Sequence, residues 1–169
     1  MVTILGCKAP EFTLSKGDYP IVGLRTDGYF LGGLDNTGLS DNVVSVYFIY
    51  QNGVIYYIGS VLDSELKEYL NYANTKDFHN ATNDQRGDIT QWGIFRTDNE
   101  DVEYEIHSPS SGGRVKSVIR YGKILNDTTF IISHFLNNYD RKPKKRPTHE
   151  VYHFRKYSPK PDSTNIFIK

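Results

Sequence analysis

His79 stands in a polar stretch, residues 74–88, together with Asp77, Asp84 and Asp88. Imidazole and carboxylates at such short range are the donors of zinc and calcium sites. The stretch has neither the His-Glu-x-x-His spacing of a helical zinc site nor the spacing of an EF-hand loop, so a solvated loop is the favoured reading. Asp98, Glu100, Asp101, Glu103 and Glu105 form a second acidic group. Glu103 and Glu105 fall on the outer face of an alternating strand and point away from the turn, which reads as a solvated hairpin tip. His149 and His153 share a strand face with Val151, and His134 lies on another strand; surface positions explain all three. No Gly-x-Ser-x-Gly elbow and no phosphate-cradling glycine loop is present. A single cysteine, Cys7, excludes an intrachain disulfide. These residues carry no catalytic signature, and a non-enzymatic protein without cofactor or metal is expected.

Two groups suit binding rather than catalysis. Tyr47, Tyr50, Tyr56, Tyr57, Trp92 and Phe95 combine apolar area with polar tips and could line a cavity for a small hydrophobic ligand. Arg141, Lys142, Lys144, Lys145 and Arg146 form a basic run broken by Pro143 and followed by Pro147. Such a run can meet a protein or an anionic surface. With only Tyr139 as an aromatic neighbour, specific nucleic-acid readout is not expected. Residues 137–169 hold nine Lys/Arg and three acids, so the first 136 residues of this neutral chain carry a net charge of −6.

The elements that must position these groups read as strands. Thirteen Tyr, nine Phe and a single Met in 169 residues favour pleated, half-buried surfaces over a helical bundle. Residues 42–62 present two apolar runs, near 43–51 and 54–61, around Asn52-Gly53, the signature of a hairpin with a two-residue type I′ turn. Both runs are apolar on both faces, so this hairpin should be covered on each side. Asp63 is placed to cap a helix over 63–73, whose Leu66, Tyr69, Leu70 and Ala73 share one face. Earlier, 21–26 and 28–33 read as a hairpin turning at Asp27-Gly28. Later strands are expected at 89–96, 102–107, around 115–121, at 128–136 and 148–157, with a short edge strand at 166–168. In 102–107, Val102, Tyr104 and Ile106 alternate inward against Glu103, Glu105 and His107. Strands at this spacing fit a meander, barrel or sandwich.

Trp92-Gly-Ile-Phe, an acidic turn, Val102-Glu-Tyr-Glu-Ile, a Gly-Gly loop, Arg120-Tyr-Gly-Lys-Ile-Leu-Asn and Glu150-Val-Tyr-His-Phe-Arg-Lys-Tyr resemble uncharacterised bacterial lipoproteins with lipocalin-like (calycin-type) barrels. The short apolar run before Gly6-Cys7 likewise resembles the end of a lipoprotein signal. The resemblance implies a calycin-type barrel; with the strands and the mid-chain helix read above, the expected fold is all-β, one antiparallel barrel of about eight or nine strands with one mid-chain helix, spanning 21–169 after a 1–20 tail. It implies lipid attachment at Cys7, a bacterial envelope location and membrane association through that anchor alone. Without the lipid the chain would be soluble in cytoplasm or periplasm. The leading expectation is an envelope lipoprotein whose barrel binds a small hydrophobic ligand. The alternative is a solid barrel acting through its basic loop.

Overall fold

The computed structural model describes residues 11–17, 20–34, 43–73, 89–109, 115–165 and 167–168. Eight strands run β1 (Gly28–Leu34), β2 (Val43–Ile49), β3 (Val54–Leu62), β4 (Trp92–Asp98), β5 (Asp101–Pro109), β6 (Val115–Asn126), β7 (Thr129–Asn137) and β8 (Arg146–Lys156). Each pairs antiparallel with its neighbour in sequence, and β1 pairs with β8, so the meander closes into a barrel. Closure leaves no sheet edge, and residues alternate between the interior and the outer wall. At one end, here the lower, lie the turns β2–β3, β4–β5 and β6–β7. The upper end carries the other connections.

The inward set on the lower half is apolar. Phe30, Ile49, Ile55, Phe95, Val102, Phe130 and Phe154 form one buried cluster. Phe30 meets Phe130 and Phe154 edge-on at 5.2 and 5.5 Å, and Phe130 stacks on Tyr152 at 4.5 Å. Rings in such contact fill the axis, and each contributes about 1.5–3 kcal/mol by leaving water.

Residues 21–26 do not form a strand. They cross beneath the barrel, from Ile21 N–H on the Gln51 carbonyl to Arg25 N–H on the Asp127 carbonyl. Ile21 and Leu24 plug the lower end. Two apolar residues three apart cannot both face inward from a strand of period two, and Gly23, at φ 83°, turns the chain so that they do.

The β2–β3 hairpin, 43–62, is covered on both faces. Its outer side chains Val46, Phe48, Val54, Tyr56 and Ile58 pack with Trp92, with Leu66, Tyr69 and Leu70, and with Tyr157, Phe167 and Ile168 of the tail. Leu66, Tyr69 and Leu70 belong to the region of α1 (Leu66–Ala73), which follows a 3-10 turn, Asp63–Glu65. Asp63 is the first residue of that turn rather than its cap; Leu62 holds the cap position and supplies no side-chain bond. The Tyr69 hydroxyl donates to the Ile58 carbonyl and that of Tyr157 to the Leu70 carbonyl, fixing helix and tail to the wall. Residues 167–168 cover this face without adding a strand.

The β2–β3 connection differs from a two-residue type I′ turn. Gly53 N–H bonds the Tyr50 carbonyl at 3.0 Å, Tyr50 N–H bonds the Val54 carbonyl, and only Gly53, at φ 76°, is left-handed. This is a three-residue loop, in which a turn is followed by a glycine bulge. Asn52 instead accepts from Val54 N–H through its side chain.

Candidate functional site

The upper half of the interior is polar. β6 brings Arg120 inward opposite Tyr104 of β5, and β8 brings in Glu150 and Tyr152 at period two. Tyr104 and Tyr152 share a hydroxyl–hydroxyl bond of 2.8 Å, and the Tyr152 hydroxyl donates to Glu150 Oε2 at 2.6 Å. Tyr47 meets Tyr152 at 5.5 Å between ring centroids. Higher up, the Tyr57 hydroxyl bonds Ser60 Oγ, which also bonds Ser45 Oγ, each at 2.8 Å. Gly32 makes this arrangement possible: it pairs with Tyr152, and a Cβ there would run into the tyrosine ring. Burial pushes the Tyr47 phenol up to about 12 and holds Tyr104 and Tyr152 well above the ordinary value. All three are neutral donors at physiological pH.

Arg120 is the unusual member. Its Nε lies 3.4 Å from Glu150 Oε2, and its guanidinium sits 5.7 Å from the centre of the Tyr104 ring. Despite that ion pair, its buried Nε has no hydrogen-bond partner among the described residues. A guanidinium carries five N–H donors and stays charged at every relevant pH. The Glu150 side chain is 6% exposed, whereas 25% of the Arg120 side chain remains open. Side chains fill the lower half, so these polar groups lie toward the upper end of the interior. A fixed cation with unused donors, above a floor of tyrosine hydroxyls, can hold an anion in bidentate geometry.

The six aromatic residues named as candidates for a cavity lining are split between two faces. Tyr47, Tyr57 and Phe95 belong to the interior cluster. Tyr50, Tyr56 and Trp92 lie on the outer face, where Tyr56 and Trp92 stack at 4.2 Å and the Tyr50 hydroxyl donates to the Pro161 carbonyl. The reason is the period of two: neighbours in sequence cannot both face inward.

The basic run is exposed, and two of its five cations are engaged. Lys145 Nζ sits 3.7 Å from the centre of the Tyr121 ring, and Arg146 pairs with Asp140 at 2.6 Å. Arg141, Lys142 and Lys144 are exposed. The outward Glu103, Glu105 and His107 of β5 are not equally solvated. Residues 12–14 form a strap across that face. Glu105 is fully buried and accepts from the Thr13 and Leu14 amides, each at 2.7 Å. His107 is buried against the Phe12 ring at 4.3 Å. Between Gly17 and Lys145, over β4 to β7, lies a groove of about 740 Å³.

Comparison with protein-family models, with curated proteins and with solved structures finds no match. The functional reading therefore rests on the geometry.

Among the described residues, no group of three His, Cys, Asp or Glu side chains could hold a metal ion. His149 and His153 are both exposed. His134 bonds Ser133 Oγ at 3.0 Å, but no described carboxylate pairs with the imidazole. The His79 group and Cys7 lie outside the described residues. No helix is long and apolar enough to cross a membrane among the described residues. Arg120, Glu150, Tyr104 and Tyr152 carry the site and were not among the residues singled out for binding. The available signal was Glu150-x-Tyr152-x-Phe154: a carboxylate in register with two inward aromatics must be buried, and a buried carboxylate needs a cation.

Proposed function

We propose that this chain is a non-enzymatic binding barrel whose site is the polar upper half of its interior, and that its ligand is a small organic acid. The observation that carries this reading is the inward guanidinium of Arg120, whose buried Nε has no hydrogen-bond partner among the described residues while a quarter of the side chain stays open. A buried charge is expensive and is retained where it recognises something. The carboxylate would lie on Arg120 beside the phenols of Tyr47, Tyr104 and Tyr152. The apolar body would point toward the mouth, along half-buried Tyr57, Val118 and Phe135, because rings occupy the axis below. This narrows the hydrophobic ligand expected from the sequence to a short amphiphile held head-down.

Displacement of anilinonaphthalene sulfonate by octanoate and by 1-octanol tests the reading. Octanoate is expected to displace the probe at concentrations at least about tenfold lower than the alcohol, the difference made by one charge-assisted pair. Equal potency of acid and alcohol contradicts it.

The envelope location and the lipid on Cys7 belong to the same proposal, supported by the resemblance of the sequence around Gly6-Cys7 to lipoprotein signals. Mass spectrometry of the protein expressed in a bacterium from its complete gene is expected to show a diacylglyceryl adduct at Cys7. An unmodified thiol ends that part.

A further inference from the structure

We propose that the groove on the outer wall is a second binding site, for an uncharged oligosaccharide. It is separate from the Arg120 site, none of whose residues line it: it runs over the outward side chains of β4 to β7, flanked by Gly17 and Lys145, and reaches Ile21, Phe95 and Val102 of the lower core. At about 740 Å³ it has the size of a ligand site.

The lining decides what fits. Arg96 pairs with Glu103 across β4–β5, through an Nε bond of 3.0 Å, and Lys123 pairs with Asp101 across β5–β6 at 3.6 Å. Asp98 and Lys145 add one charge of each sign. Three cations against three carboxylates leave no net field. A polyanion would meet as many repelling groups as attracting ones. A wholly apolar ligand would strip water from six charges and return no hydrogen bond to them. The occupant must supply hydroxyls to charged donors and acceptors and remain neutral.

Tyr121 supplies the other half of the chemistry. It lines the groove with Ile131 and Ser133, and the Lys145 ammonium sits over its ring, 3.7 Å from the centre. Such a contact at an exposed lysine is worth about 0.5–1 kcal/mol, so the side chain can swing off the ring. A pyranose has both required surfaces: an apolar C–H face for the ring and a hydroxyl edge for Glu103, Arg96 and Asp101. The segment that leads to Gly17 is tied to the barrel wall. Besides the Glu105 bonds to Thr13 and Leu14, Arg96 Nη1 donates to the Ser15 carbonyl at 3.5 Å.

Saturation-transfer NMR with maltotriose, cellotriose and diacetylchitobiose tests the site on the full chain. At least one sugar is expected to receive saturation from the aromatic protons. Its affinity should fall about tenfold in Tyr121→Ala and in Glu103→Gln, and stay unchanged in Tyr139→Ala, an exposed aromatic outside the groove. The amide signals of Tyr121 and Ser133 should shift with the sugar in the unmodified protein, which locates the site without relying on a variant's folding. Absence of transfer to all three sugars overturns the proposal. So does equal binding by Tyr121→Ala, or salt-sensitive binding of a heparin hexasaccharide in their place.

Discussion

Arg120 and Glu150 face each other across the barrel interior from β6 and β8, Nε to Oε2 at 3.4 Å, yet the same carboxylate oxygen accepts a shorter bond, 2.6 Å, from the Tyr152 hydroxyl. Glu150 is thus held by the tyrosine and balances the guanidinium without saturating it. Removing one charge strands the other. Arg120→Met is expected to destabilise the fold by about 3 kcal/mol, the low end for a broken buried pair because a quarter of Arg120 is open. Adding Glu150→Gln should recover at least half of that loss. Urea denaturation of the single and double variants measures it; a double variant no more stable than Arg120→Met would show that the two charges are not coupled.

Gly32 is expected to control the floor of the site. A methyl group at this position would enter the Tyr152 ring. Gly32→Ala should therefore cost about 1–3 kcal/mol by overpacking and weaken octanoate displacement, since Tyr152 must leave Glu150. Unchanged stability and binding would mean that Tyr152 is not fixed by this packing.

Alkaline pH should first strengthen and then weaken the fold. Lys160 bonds the Thr26 and Ile49 carbonyls at 2.7 and 2.6 Å, and burial pulls its ammonium down to about 8, with Asp27 opposing. Its unfolded value is about 10.4, so between these values the unfolded chain holds more protons and stability rises with pH. Above about pH 10 the sign reverses. Unfolded tyrosines ionise there, while buried Tyr47, Tyr104 and Tyr152 keep their protons, so that stability is lost. The urea midpoint should climb from pH 8 toward 10 and fall beyond it. Lys160→Met should remove the climb and keep the fall. A flat profile from pH 8 to 10 in the unmodified protein refutes the assignment.

Acid should loosen the strap. Burial lowers the His107 value, against the charge of Glu105. A folded imidazole that resists protonation contributes stability above the unfolded value, about 6.5, and loses it as pH falls through that range. Hydrogen exchange at the Thr13 and Leu14 amides is expected to accelerate between pH 7 and 5, relative to intrinsic rates, and to do so less in His107→Leu. Equal acceleration in the variant would place the acid-sensitive group elsewhere.

The barrel was largely legible because its strands obey period two. Val102, Tyr104 and Ile106 are all buried inside, and the doubly apolar hairpin at 42–62 foretold a cover on its outer wall. Ile21 and Leu24 misled because a plug and a strand share composition, and only Gly23 separates them. Glu105 and His107 sit on the outward face as alternation requires; what buries them is residues 12–14, more than ninety positions away, and local pattern carries no trace of that contact. The candidate aromatics were not divided between the two faces for the opposite reason. Tyr56 and Tyr57 are equally apolar, and composition ranked them together where parity sets them on opposite faces. Arg120 and Glu150 become a pair only when β6 and β8 lie two strands apart around the closed barrel, which no spacing in the chain expresses.

The most direct test of the interior site observes Arg120 itself. In protein labelled with nitrogen-15, the side-chain Nε–H signal of Arg120 is followed as octanoate is added at neutral pH. A saturable downfield shift of that resonance, with Arg25, Arg96 and Arg155 unmoved, is expected if a carboxylate takes up the unused donors. An unchanged Arg120 signal at octanoate concentrations that displace the fluorescent probe contradicts the proposal.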